Sequence, residues 1–160
     1  PYLMGERTPY SDPDARGCFI GLQVSHHRAH MTRAVLEGVI YGLRDSLEII
    51  KDMGMNVRQV RLSGGGAKSS LWRQIVADVF GLPVCIPNST EGPAFGAAIL
   101  AAVGAGAYPS VDEACKALIA ITEEVNPIPK NIETYNQYYK VYQGLYRALQ
   151  HTFKDIAKLQ

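Results

Sequence analysis

The chain has 160 residues, 16 of them basic and 15 acidic, and its net charge of +1 gives no electrostatic basis for a nucleic-acid or membrane-surface partner. Its 47% hydrophobic content and length suit one ordinary globular domain with a real core. Cys18, Cys85 and Cys115 are an odd number without metal-ligand spacing, which argues against a disulfide framework. The charge-free run from Ala94 to Tyr108 is shorter than the roughly 20 apolar residues a membrane span needs, and a cytoplasmic protein is expected.

Pro1 to Gly17 is rich in proline, glycine and charge, with turns marked by Thr8-Pro9 and Asp12-Pro13-Asp14, so an ordered loop is expected. Glu6 and Arg7 within it read as solvated or locally paired groups. Cys18 to Val24 is apolar enough for a short strand. Ser25 is then expected to cap a long helix from about His27 to Met53, with Gly54 just past its end. Leu36, Val39, Leu43, Leu47 and Ile50 read as the buried stripe of that helix. His26 and His30 would share a face, but no third ligand or general-base glutamate accompanies them, so no metal site is predicted. Glu37, in an apolar stretch, must be paired or reach solvent.

Val57 to Leu62 alternates apolar and polar residues like a strand, and Leu71, Ile75, Val76, Val79 and Phe80 recur at helical spacing. Between them Ser63-Gly64-Gly65-Gly66-Ala67-Lys68-Ser69-Ser70 forms a strand-to-helix turn. Backbone without Cβ lets a flat or charged ligand come close, and the free N–H groups of a helix start favour negative charge. That pattern points to nucleotide chemistry. Spacing excludes a Walker A loop, which needs glycines where Ala67 and Leu62 stand, and a dinucleotide fingerprint, which needs a small residue where Ser69 stands and an acidic strand end further on. The alternative is a tight helix entry with Ser69 or Ser70 as N-cap.

The following helix is expected to end at Gly81, and Val84-Cys85-Ile86 reads as a short buried strand. Asn88 to Pro93 turns the chain into a helix from Ala94 to about Val103, whose small residues serve close packing or a ligand. Another helix is expected from Asp112 to Ile121, a rigid spacer at Asn126 to Asn131, and a last helix from about Glu133 to Lys158. There Tyr135, Tyr138, Tyr142, Leu145, Leu149, Phe153 and Ile156 form a stripe best read as core.

Leu62-Ser63-Gly64-Gly65-Gly66-Ala67-Lys68-Ser69-Ser70-Leu71-Trp72-Arg73-Gln74-Ile75-Val76-Ala77-Asp78 resembles the adenosine motif of the FGGY carbohydrate kinases, within the actin-like ATPase superfamily. Pro1-Tyr2-Leu3-Met4-Gly5-Glu6-Arg7-Thr8-Pro9, Asp14-Ala15-Arg16-Gly17 and Arg33-Ala34-Val35-Leu36-Glu37-Gly38 are similar to the same family in the same order, nearest to its xylulokinase branch. The resemblance runs to about Tyr108. It implies an α/β fold, a ribonuclease-H-like sheet flanked by helices and only part of the full domain, with residues 1–160 as the C-terminal, nucleotide-side domain and the N-terminal sugar-binding domain outside this sequence.

The implied reaction is transfer of the γ-phosphoryl of ATP, with Mg²⁺, to a ketopentose such as D-xylulose. No catalytic residue is assigned in this chain, which alone is expected to be inactive, and the sugar would bind through the other domain. Gly64, Gly65, Gly66, Lys68 and Ser69 are the implied adenosine-side residues, and the Glu91 to Ala98 segment would lie near the nucleotide. The family also makes a homodimer a possible assembly. Kinases of the family acting on gluconate or a deoxy-ketose, and a noncatalytic actin-like nucleotide-binding module, stay open as alternatives.

Overall fold

The computed structural model describes residues 1–89 and 91–159. They form two compact units. The first contains Pro1–Val57, Asp78–Phe80 and the chain from Ile128 on; the second contains Arg58–Ala77 and Gly81–Pro127.

The second unit is built on a three-stranded sheet of β1 (Val60–Arg61), β2 (Val84–Pro87) and β3 (Ile121–Val125), in the order β1-β2-β3. β1 and β2 run parallel, with Val60 opposite Val84, and β3 is antiparallel to β2, with Val125 opposite Val84. Val84, Cys85 and Ile86 are buried, as a central strand requires. β3 is not among the expected strands: its first four residues, Ile121 to Glu124, are exposed, so no alternation marks it in the sequence.

Three helices connect these strands or lie between them. α2 (Ser70–Phe80) ends at Gly81, whose φ of 64° is the left-handed cap a β-carbon disfavours. Its last residues, Asp78–Phe80, belong to the first unit. α3 (Gly92–Gly104) starts with a proline in its first turn, where a missing N–H costs no bond. α4 (Val111–Leu118) is capped by Ser110, whose hydroxyl accepts from the Glu113 N–H. α3 and α4 pack on each other.

The first unit combines the ordered loop 1–17 with α1 (Arg28–Asp52) and α5 (Pro129–Ala157). The N-cap of α1 is His27 rather than Ser25: the His27 N–H donates to His30 Nδ1 at 3.3 Å, and the His30 N–H donates to the His27 carbonyl at 2.9 Å. Cys18 to Val24 forms no strand. With Phe19, Ile20, Leu22 and Val24 exposed, this segment has no neighbour among the described residues to complete a ladder.

The core faces of the two long helices match the expected stripes only in part: Leu47, Tyr135 and Phe153 are buried as expected, and other positions of the stripes are not. α1 buries Ile40, Tyr41, Asp45 and Leu47, while Leu43 is 52% exposed. α5 buries Tyr135, Tyr139 and Phe153, while Tyr138 is 63% exposed. The cause is polar. The Tyr139 hydroxyl donates to Asp45 Oδ1 at 2.6 Å, and the Arg44 guanidinium lies 4.2 Å from the Tyr139 ring centre. Tyr41 packs on Tyr135, Tyr139 and Tyr142. In α1, counting only aliphatic residues hides the buried Tyr41 and Asp45.

Candidate functional site

The glycine loop follows the carboxyl end of β1. Gly64 has φ +78°, a region that side chains rarely adopt, and leads into a 3₁₀ turn over Gly65–Lys68. Ser69 is the N-cap of α2, its Oγ accepting from the Trp72 N–H at 3.3 Å. The hydroxyl proton of Ser69 is left to donate elsewhere. Lys68 is exposed.

The three glycines answer to different needs. A β-carbon at 66 would stand 2.8 Å from the Trp72 ring, so the indole lies directly on this backbone. The Trp72 Nε1–H is buried and has no hydrogen-bond partner among the described residues. At 65 a β-carbon would meet nothing within 4 Å, and φ is not positive. Neither conformation nor packing requires glycine there; the backbone is simply open.

A second loop follows the carboxyl end of β2, the strand parallel to β1. Asn88 fixes its entry: its backbone N–H donates to Ala120 O at 2.8 Å, its Nδ2 to Leu118 O at 2.9 Å, and its Oδ1 accepts from the Ala120 N–H at 3.2 Å. The sequence marks Asn88 only as a turn residue. Gly92, at the start of α3, lies against the first loop, since a β-carbon there would stand 3.1 Å from Ser63 Oγ. Both stretches singled out in the sequence therefore meet at Ser63 and Gly92.

Where they meet, a cavity of about 380 Å³ opens. Arg61 lines it from the end of β1, Ser63 from the first loop, Ser89 from the second, and Phe95, Ile99 and Val111 from α3 and α4. None of Gly64, Gly65, Gly66, Lys68 and Ser69 is on its wall. The five residues adjoin the cavity through Ser63 instead of enclosing it. Behind the loops, Arg73 Nη1 pairs with Glu123 Oε2 at 2.8 Å and Gln74 Nε2 donates to Asn126 O at 3.1 Å, tying α2 to β3 and its exit. Burial, reinforced by the nearby Glu124, pushes the Cys85 thiol up from its ordinary value, so this cysteine of the sheet stays a neutral thiol.

Other residues singled out in the sequence serve structure in the first unit. Glu37 Oε1 pairs with Arg33 and accepts from the Tyr135 hydroxyl at 2.8 Å, and Arg33 Nη2 donates to the same phenol at 2.6 Å. Burial raises Tyr135 to about 12, so it stays a donor at neutral pH. Glu6 Oε2 accepts the Tyr10 N–H at 2.8 Å. The Nδ1 atoms of His26 and His30 accept the backbone N–H groups of Gln23 at 3.0 Å and His27 at 3.3 Å. Among the described residues no group of three or more His, Cys, Asp or Glu side chains converges as a metal site, and no helix is long and apolar enough to cross a membrane.

Two loops at the carboxyl ends of adjacent parallel strands, one with bare backbone and the other opening on an apolar cavity, are where open α/β sheets take their ligands. Residues 1–105 match the FGGY family of carbohydrate kinases, C-terminal domain. The chain belongs to this family. It is 40% identical over 156 residues to xylulose kinase of Staphylococcus epidermidis, covering 98% of this chain and 32% of that protein. It is 38% identical over 161 residues to gluconokinase of Bacillus subtilis, covering 100% of this chain and 31% of that protein. The chain thus spans about a third of the length of these relatives. The crystal structure of ligand-bound xylulose kinase from Lactobacillus acidophilus superposes with a TM-score of 0.88 at 30% identity, covering 98% of this chain and 32% of that one. The FGGY chain has the α/β, ribonuclease-H-like fold of the actin-like ATPases, as its motifs imply.

Proposed function

We propose that the chain is the adenosine side of an ATP-dependent sugar kinase, the C-terminal nucleotide domain of a longer protein that phosphorylates a ketopentose, D-xylulose to D-xylulose 5-phosphate. The observation that carries this reading is the pairing of the two loops at the carboxyl ends of β1 and β2, with open backbone at Gly65 beside the cavity between Ser63 and Gly92. The base enters the cavity. The backbone of Gly64, Gly65 and Gly66 continues the surface along the ribose, and Ser69 offers its hydroxyl proton. Lys68, exposed at the end of the turn, answers phosphate charge.

ATP is a substrate that supplies the phosphoryl group, and transfer of that group depends on positioning and charge neutralisation. The described residues fit base and ribose. Mg²⁺ is commonly held by substrate phosphates with one or two carboxylates, and no residue of this chain is assigned to it. The sugar pocket and the base that takes the hydroxyl proton are assigned to the other domain.

Titration of the chain with ADP and Mg²⁺, followed by backbone amide shifts and Trp72 fluorescence, tests the site. Saturable shifts confined to Gly64–Ser69 and Glu91–Gly96 are expected; shifts concentrated in α1 and α5 would refute it. Gluconate as acceptor is a second reading, favoured by the gluconokinase relative that matches over the whole chain. Assay of the longer protein with D-xylulose and with gluconate decides between them.

A further inference from the structure

The wall of the cavity carries information about which nucleotide the site takes. Among the described residues, its charged or polar side chains are Arg61, Ser63, Ser89 and Cys115, and the remainder is apolar or glycine. No amide and no carboxylate side chain of a described residue lines it. Purines differ at the 6-position, an amine in adenine and a carbonyl in guanine and hypoxanthine. A protein distinguishes these strongly only when a fixed donor or a fixed acceptor is left unpaired by the wrong one. A serine hydroxyl donates or accepts as the partner demands, so Ser63 and Ser89 suit either group. Arg61 is a donor alone, and a ring nitrogen, which every purine offers, satisfies it.

Gly96 points the same way. It lies inside α3, where glycine is the weakest ordinary helix former, and it lines the cavity. A β-carbon there would meet nothing within 4 Å, so the chain's own packing does not require the glycine. A side chain at 96 would instead occupy space that the site leaves open. The cavity's volume of about 380 Å³ is at the small end of ligand pockets, which run from roughly 300 to 1,000 Å³. A side chain of three or four carbons would fill much of what a base needs.

Building on the adenosine-side reading, we propose that this site recognises purine nucleotides by shape, accepting adenine, guanine and hypoxanthine with little discrimination, and that Gly96 is the position that keeps the base cavity open. The test is calorimetric titration of the chain with ADP, GDP, IDP and UDP in the presence of Mg²⁺, for the native sequence and for Gly96→Leu. The three purine nucleotides are expected to bind within about tenfold of one another, with UDP weaker because its single ring covers less of the apolar wall. Gly96→Leu is expected to weaken all three purine nucleotides by more than about tenfold while its thermal midpoint stays level or rises. A preference for ADP over both GDP and IDP of more than about tenfold overturns the shape-only reading and leaves the site standing. Purine binding indifferent to Gly96→Leu overturns the role of Gly96 and moves the base elsewhere. Failure of every nucleotide to bind overturns the adenosine-side reading and this proposal together.

Discussion

The two units bury different chemistry. The buried carboxylates of the described residues, Asp12, Asp45 and Asp78, all belong to the first unit, whereas the buried side chains of the second, among them Ile75, Val76, Val84, Cys85 and Ile99, carry no charge. In the first unit each carboxylate joins segments far apart in the chain: Asp12 accepts from the Tyr146 hydroxyl at 2.7 Å, Asp45 from Tyr139, and Asp78 from the Ile128 N–H at 2.8 Å and Asn131 Nδ2 at 2.7 Å. The second unit packs small and aliphatic residues and leaves its loops bare. A polar interior demands specific partners, so the first unit should answer to mutation and pH through stability. Open backbone demands nothing from the protein, so the second unit's loops should answer through binding.

The largest effect expected is that of Asp78→Ala. The substitution leaves the Ile128 N–H and the Asn131 amide unpaired at the start of α5, and removes a negative charge from the positive end of a 29-residue helix. A loss of about 3 kcal/mol is expected, since several bonds to a charged group go at once. Urea unfolding of the chain measures it; a loss below about 0.5 kcal/mol would place Asp78 with ordinary surface positions.

Neighbouring glycines separate the two kinds of response within one loop. Gly66→Ala drives a β-carbon against Trp72 and is expected to cost about 2 kcal/mol, the scale of overpacking, with a change in indole emission. Gly65→Ala meets open space, so stability should hold within about 0.5 kcal/mol while ADP binding weakens. Equal thermal losses for both would break the distinction between packing and access. A smaller effect follows at the cap: Ser69→Ala should cost about 1 kcal/mol, and Ser69→Gly only a few tenths, because the hydroxyl receives the Trp72 N–H. Thermal midpoints of the two variants rank them.

The same contrast explains what the sequence reveals. The helix-entry signals of the second unit are local, so a serine cap at Ser69 or Ser70, Gly81 as terminator and the strand around Cys85 can be read directly from residue order, and the structure selects Ser69. β3 and the absence of a strand at Cys18 to Val24 cannot, because a strand exists only through its partner, and neither segment's composition names one. In the first unit Tyr139 and Asp45 are invisible as core because each is tolerable inside only with the other. Glu37 is the intermediate case: its position in an apolar stretch demands a partner, and only the fold supplies Arg33 and Tyr135. The five residues read as adenosine-side, Gly64, Gly65, Gly66, Lys68 and Ser69, lie close together in sequence, yet the nearby cavity is lined instead by Ser63, Ser89 and α3, which converge only in three dimensions.

The finest expected effect is in the pH dependence of stability, and its sign differs between two carboxylates of one unit. Burial, opposed in part by the Tyr139 hydrogen bond, raises Asp45 above the usual carboxylate range. From the ordinary value near ~3.9 up to the raised one, the folded chain holds a proton that the unfolded chain has released, so this group's contribution to stability falls as pH rises through that window and is level above it. Asp12 is the reverse. The Tyr146 hydroxyl, with the Asp14 N–H, outweighs burial and holds it below the usual range, so its contribution is present above the ordinary value and disappears as pH falls through the lowered one. Urea midpoints of the native chain, Asp45→Asn and Asp12→Asn between pH 3 and pH 7 separate the two. Relative to the native chain, Asp45→Asn should gain as pH rises, and Asp12→Asn should lose over the acid end of the same range. Parallel curves for both variants would mean that the two carboxylates act in the fold through shape and hydrogen bonding alone, and the contrast between a polar and an apolar interior would then rest on partners and not on charge.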